Sequence, residues 1–308
     1  MSDRSKKIKD MIPQMKFYDS MQPKWRPYLM FNHFSNIRSK FCNTDIYGLR
    51  FNSLKKNSKN KKISILNAGK GKKNIGVILG NSTAFGEGSS TDSNTISSIL
   101  SKISKFHFYN FCGRGYSGYQ ELMNFFLLYH KIKNLKKVVV ISGLNDSILP
   151  FYVDNFDDYN TPTYGYNLFN VAMSSIVTGW KKKALKYLLH PFFGNKVNFQ
   201  ALNRINFLDQ MKVNKNTNIL KVNSKKNLIE SYKDIIERNF FLLSKLEESK
   251  KIKIYFMLQP VGSWCQKQLT LEEKILFSEE NKNLTLKKIY QHVDKKKYKK
   301  IRKIIKDK

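Results

Sequence analysis

The stretch Ile75-Gly76-Val77-Ile78-Leu79-Gly80-Asn81-Ser82-Thr83-Ala84-Phe85-Gly86-Glu87-Gly88 decides the fold. Its first residues are an apolar run bounded by Gly, which reads as a buried strand. The Ser/Gly cluster that follows without a spacer reads as the turn at the strand's carboxyl end. Ligands bind at that edge in open α/β sheets, so Ser82 is a nucleophile candidate on position alone. Taken in isolation the same residues also make an ordinary strand-to-helix turn, because Ser, Thr and Gly are common turn residues.

Working outward, the rhythm continues. Thr91-Asp92-Ser93 can cap a helix whose apolar positions Ile96, Ile99, Leu100 and Ile103 recur at helical spacing. His107-Phe108-Tyr109-Asn110-Phe111-Cys112 is a second strand and Gly113-Arg114-Gly115-Tyr116-Ser117-Gly118 its turn. A second amphipathic helix is predicted over roughly Tyr119 to Leu135. Lys137-Val138-Val139-Val140-Ile141-Ser142 is then a continuous apolar strand ending in Gly143-Leu144-Asn145-Asp146. Leu228 to Leu246 reads as a long helix that feeds a fourth strand, Lys251 to Leu258, closed by Gln259-Pro260. Strands alternating with helices at these lengths imply right-handed crossovers. The expected fold is α/β, a three-layer flavodoxin-like parallel sheet with helices on both faces.

Residues 1–62 read as an N-terminal extension with short strands, in which no chemistry is evident and His33 is expected at a surface or interface. The α/β domain is expected over 63–308, with a helical and aromatic insertion at about 147–222 that would form a lid or substrate wall. The tail from Leu271 to Lys308 is helical and lysine-rich, with a solvated face.

At 41% hydrophobic residues the 308-residue chain is globular rather than disordered. Its formal charge of +33 would ordinarily point to nucleic acid or an anionic membrane. Only eight of the 56 basic residues are Arg, however, and Asn accompanies Lys throughout, as an AT-rich coding sequence produces. Arg supplies the bidentate contacts that read bases, so no specific nucleic-acid partner is expected. Cys42, Cys112 and Cys265 lack metal-ligand spacing and read as free thiols. No stretch reaches the roughly 18 apolar residues of a membrane helix, and no apolar segment follows the charged start, so a cytoplasmic chain is expected.

Three consecutive strands thus end in Gly-Asn-Ser, Asn-x-x-Gly-x-Gly and Gly-x-Asn-Asp. Parallel strands lie about 4.8 Å apart, so Ser82, Gly115 and Asn145 can converge on one substrate atom. These are the parts for acyl transfer: a serine attacks a carbonyl carbon, while the Ser82 and Gly115 backbone N–H groups and the Asn145 amide receive the charge developing on oxygen.

On these motifs the chain resembles the SGNH (GDSL-like) hydrolases, whose blocks are Gly-Asp-Ser, a Gly, Gly-x-Asn-Asp and Asp-x-x-His. Ser82 matches the nucleophile, Gly115 the second-block glycine, and Gly143-Leu144-Asn145-Asp146 the third block. The segment Gly80 to Ser93 resembles a bacterial subset often found near surface-polysaccharide genes. The resemblance covers residues 73–150 well and 225–260 loosely. It implies a serine esterase acting on ester-linked acyl groups, with acetylated carbohydrate the first substrate to consider and no cofactor or metal.

Two departures stand out. Asn81 replaces the usual Asp, with little consequence expected because the amide keeps most of its hydrogen-bonding capacity. No Asp-x-x-His occurs, and His33, His107, His130, His190 and His292 all lie outside such a block. The simplest expectation is a sequence truncated ahead of that block. Without a base, serine is a weak nucleophile; in the serine-protease template only about 10³–10⁴ of rate over water survives loss of a triad member. The alternative is therefore an SGNH-like binding protein that lacks the base. Gly113 to Gly118 also spells G-x-G-x-x-G, but Lys136 and Lys137 stand where the dinucleotide fingerprint needs an acid. No P-loop is present.

Overall fold

The structure, a computed structural model, describes residues 10–53, 62–63, 74–149, 228–260, 268–281 and 303. The chain divides into two compact units, one of Met1–Pro150 with Lys226–Lys308 and the other of Phe151–Lys225. The second unit lies outside the described residues, and with it the expected insertion beyond Leu149.

The first unit opens with α1 (Met15–Ser20), an antiparallel hairpin of β1 (Pro23–Arg26) and β2 (Met30–His33), and β3 (Asn52–Ser53) paired with β4 (Lys62–Ile63). The alternating part follows: β5 (Asn74–Gly80), α2 (Ser82–Phe85), α3 (Ile96–Ile103), β6 (Phe106–Asn110), α4 (Gly118–Tyr129), β7 (Leu135–Ser142) and α5 (Leu144–Ile148). After the second unit come α6 (Leu228–Lys250), β8 (Lys253–Leu258) and α7 (Leu271–Asn281). The four long strands form one parallel sheet in the order β6-β5-β7-β8, the arrangement expected of a flavodoxin-like sheet.

Alternation along the strands builds a core on each face of this sheet. Val77 and Leu79 of β5 and Val138 and Val140 of β7 pack with Leu122 and Phe125 of α4 and Leu243 of α6. Ile78, Val139 and Ile141 face the other way, against Tyr18, Phe85, Ile96 and Leu100. Each fully buried side chain of this kind contributes about 1.5–3 kcal/mol relative to exposure.

Two local expectations are corrected. Thr95, not Thr91-Asp92-Ser93, caps α3, its hydroxyl accepting the Ser98 N–H at 3.3 Å. Asp92 instead occupies a short 3-10 turn. The buried seam of α3 is partly serine: Ile99 and Ile103 are 46% and 74% exposed, while Ser97, Ser98 and Ser101 are buried. Ser97 Oγ donates to Asn52 Oδ1 at 2.7 Å, and Asn110 Nδ2 donates to Ser97 Oγ at 3.2 Å. Polar partners on β3 and β6 select the serine face. Helix α4 also ends earlier than expected, at Tyr129, and Leu135 belongs to β7; Asn134, with φ of 57°, turns the chain between them.

Candidate active site

Because β6 and β7 flank β5 on opposite sides, the chain leaves the carboxyl end of β5 toward one side and that of β7 toward the other. A crevice at such a reversal is the usual ligand site of an open α/β sheet. Ser82 is the first residue of α2, immediately beyond β5. Gly80 makes the close approach possible: a Cβ there would lie 2.5 Å from both Ala84 Cβ and the Ile141 carbonyl oxygen. Asn81 caps α2, its side chain accepting the Thr83 N–H at 3.3 Å. The helix stops at Gly86, whose φ of 88° suits glycine. Ser82 is half-buried, and neither its hydroxyl nor its N–H has a hydrogen-bond partner among the described residues.

Gly115 stands in the turn after β6 with φ of 71°. That turn is anchored to β5 by the Gly113 N–H, which donates to the Gly80 carbonyl at 3.0 Å. A Cβ on Gly113 would enter the Tyr116 ring. Asn145, on α5, donates through Nδ2 to the Tyr116 carbonyl at 2.7 Å. One amide hydrogen is thereby committed and the other remains, since a primary amide carries two. The next residue, Asp146, accepts the Gly118 N–H at 2.9 Å. The second and third turns are thus tied together by two consecutive side chains.

Side chains that the motifs did not reveal complete the frame. Gln259, just past β8, donates through Nε2 to Thr83 Oγ1 at 2.8 Å and through its N–H to the Ser142 carbonyl at 2.8 Å. It joins the end of β8 to the residue beside Ser82. Its place at the end of the fourth strand was the available signal. Arg114 pairs with Glu87 at 2.7 Å, linking the Gly115 turn to the segment after α2.

His33 corrects a further expectation. Rather than lying at a surface, it is buried, stacked on Phe85 with ring centroids 4.2 Å apart, and its Nε2 accepts the Arg114 N–H at 3.2 Å. Burial holds its pKa down at about 3, with the Arg114 charge acting in the same sense and the Gly48 backbone opposing. It is a neutral acceptor supporting the Gly115 turn, not a free base. His107 pairs with Ile75 near the start of β5, away from the site, and His130 is exposed beyond α4. His190 and His292 lie outside the described residues, as does Cys265. Cys42 and Cys112 are free and buried.

Two carboxyls lie beneath the turns. Burial pushes Asp146 up to about 6, against the Gly118 hydrogen bond and the Arg238 charge. Burial and the Asp146 charge push Glu121 well above the usual carboxylate range, although Ser142 Oγ donates to it at 2.9 Å. Among the described residues no group of three or more His, Cys, Asp or Glu is placed to hold a metal, and no helix is long and apolar enough to cross a membrane.

No protein-family model and no curated protein matches this chain. At the reversal point of the parallel sheet, Ser82, Gly115 and Asn145 thus stand at the ends of three neighbouring strands, and among the described residues the Ser82 hydroxyl has no hydrogen-bond partner and the Asn145 amide has one.

Proposed function

We propose that the chain is an SGNH-type serine acyl hydrolase, with Ser82 as nucleophile and the Ser82 and Gly115 N–H groups and the Asn145 amide as oxyanion donors. The observation that carries this reading is the position of Ser82 at the end of β5, with the next turn anchored to β5 by the Gly113–Gly80 hydrogen bond and the third turn tied to that one by Asn145–Tyr116. Ser82 Oγ attacks the carbonyl carbon of an ester and its proton passes to a base. Collapse of the tetrahedral intermediate breaks the bond to the alcohol oxygen, which takes up that proton. Water then cleaves the acyl-serine by the same steps. Each oriented donor is typically worth about 10²–10³ in rate.

In this reading the base comes from outside the described residues, since His33 is engaged and His107 and His130 lie away from the site. The substrate class is an ester-linked acyl group, with acetylated carbohydrate first by resemblance. The engaged state of His33 favours one competing reading, a base-less protein that binds an acylated sugar.

Intact-mass analysis after exposure to a fluorophosphonate separates the two. A single adduct that disappears in Ser82→Ala supports the hydrolase. Absence of an adduct on folded protein, with retained binding of an acetylated oligosaccharide, sinks the hydrolase reading in favour of the binding protein.

A further inference from the structure

We infer that Asp146 is a positioning residue of this site: by gripping the Gly118 N–H it fixes the turn that presents Gly115. The inference rests on the reading of Gly115 as an oxyanion donor. Asp146 is buried at the start of α5, and its Oδ1 lies 2.9 Å from the Gly118 nitrogen. Gly118 is the first residue of the twelve-residue α4, where a negative charge is favoured by the helix dipole. The grip depends on glycine at that position. A Cβ on Gly118 would lie 2.7 Å from Asp146 Oδ2 and 2.6 Å from Asn239 Nδ2, so the carboxylate occupies the space a side chain would need.

Asn145 and Asp146 hold Tyr116 O and Gly118 N respectively. Between those two points Ser117 makes a capping box with Gln120, which closes the turn from the helix side. On its other side the turn is held by Gly113 on Gly80 and by Arg114 N on His33. Gly115 is the residue between these anchors, and its N–H direction follows from them.

The charged groups facing Asp146 are Glu121 from α4 and Arg238 from α6. Burial and the Asp146 charge push Glu121 well above the usual carboxylate range, while the Arg238 guanidinium favours the ionised form of Asp146. Charge-assisted hydrogen bonds are roughly twice as strong as neutral ones, so the grip strengthens as Asp146 ionises. That ionisation falls near pH 6.

The test uses the full chain labelled with ¹⁵N-glycine, followed by amide resonances from pH 5 to 8, beside wild-type, Asp146→Asn and Asp146→Ala labelling rates with a fluorophosphonate. In wild type the Gly118 and Gly115 amides are expected to titrate together, with a midpoint near 6. In Asp146→Asn, which keeps an acceptor of the same shape, both titrations disappear, and the labelling rate loses its inflection at that pH. In Asp146→Ala the labelling rate falls about tenfold or more, because misplacement of a donor by a fraction of an ångström is costly. A Gly115 amide indifferent to pH and to both variants overturns the inference, whatever the labelling shows. Coupled Gly115 and Gly118 titration with no adduct in any protein supports the grip and instead sinks the nucleophile reading of Ser82.

Discussion

Arg50 Nε lies 3.1 Å from Asp92 Oδ1, in an ion pair whose arginine side chain is wholly buried. The same guanidinium donates to the carbonyls of Gly86 at 2.8 Å and Phe85 at 3.2 Å, and to that of Phe41 at 2.6 Å. It therefore ends the helix that begins with Ser82. Removing one partner of a buried pair leaves an uncompensated charge, at a cost of about 3–5 kcal/mol. Arg50→Met is expected to lose stability in that range by urea denaturation. The double variant Arg50→Met/Asp92→Leu should lose less than the single one. A single-variant loss under about 1 kcal/mol would be too small for a buried charge left alone.

Asn145→Ala tests the amide. The variant removes the amide that donates to the Tyr116 carbonyl and that the hydrolase reading takes as an oxyanion donor, so in that reading the second-order rate of fluorophosphonate labelling should fall by about 10²–10³. Asn145→Asp should be no better, because a carboxylate repels both the Tyr116 carbonyl and the developing oxyanion. Labelling of Asn145→Ala within threefold of wild type would remove Asn145 from the site.

The parallel sheet and the three loop ends were legible because their signals are local: apolar runs such as Val138-Val139-Val140 bounded by Gly, and Ser, Gly and Asn at each strand end. The serine seam of α3 was not, because Ile96, Ile99, Leu100 and Ile103 satisfy helical spacing equally well. What turns Ser97 inward is Asn52 and Asn110, which arrive from distant strands. The roles of His33 and Arg50 were hidden for the same reason. Nothing around them in sequence signals that they pack on Phe85, and only the tertiary fold sets them against the short helix that begins with Ser82.

His33 and Asp146 should tilt stability in opposite directions with pH. Folded His33 stays neutral down to about pH 3, whereas the unfolded chain protonates it near 6.5. Its contribution is full above the higher value and is lost as pH falls. Folded Asp146 keeps its proton up to about 6, whereas the unfolded chain releases it near 3.8. Its contribution is full below the lower value and is lost as pH rises, and Glu121 acts in the same sense. Each single proton is worth about 1.4 kcal/mol per pH unit. Between about pH 4 and 6 the slopes of His33 and Asp146 therefore oppose one another. His33→Gln should leave stability falling more steeply with rising pH than wild type, and Asp146→Asn less steeply, in urea titrations at a series of pH values. Parallel profiles for all three proteins would contradict both assignments.

Gly80→Ala probes whether strand packing and the placement of Ser82 share one point. The added methyl meets Ala84 Cβ and the Ile141 carbonyl oxygen, both at 2.5 Å, well inside contact distance. Neither can withdraw cheaply: Ala84 belongs to the buried part of α2, and Ile141 pairs with Gly80 across the β5–β7 ladder. Overpacking of a tight interior costs about 1–3 kcal/mol. Relief must come from moving α2, and Ser82 moves with it. Gly80→Ala should thus lose stability in that range and also lose labelling at temperatures where it remains folded. The control is Gly88→Ala: a Cβ there meets only Met15 Sδ, at 3.5 Å, but φ of 82° strains the backbone. It should cost about 1 kcal/mol or more in stability with labelling retained. Equal labelling of folded Gly80→Ala and wild type would mean that the turn carrying Ser82 is not set by its contact with β7.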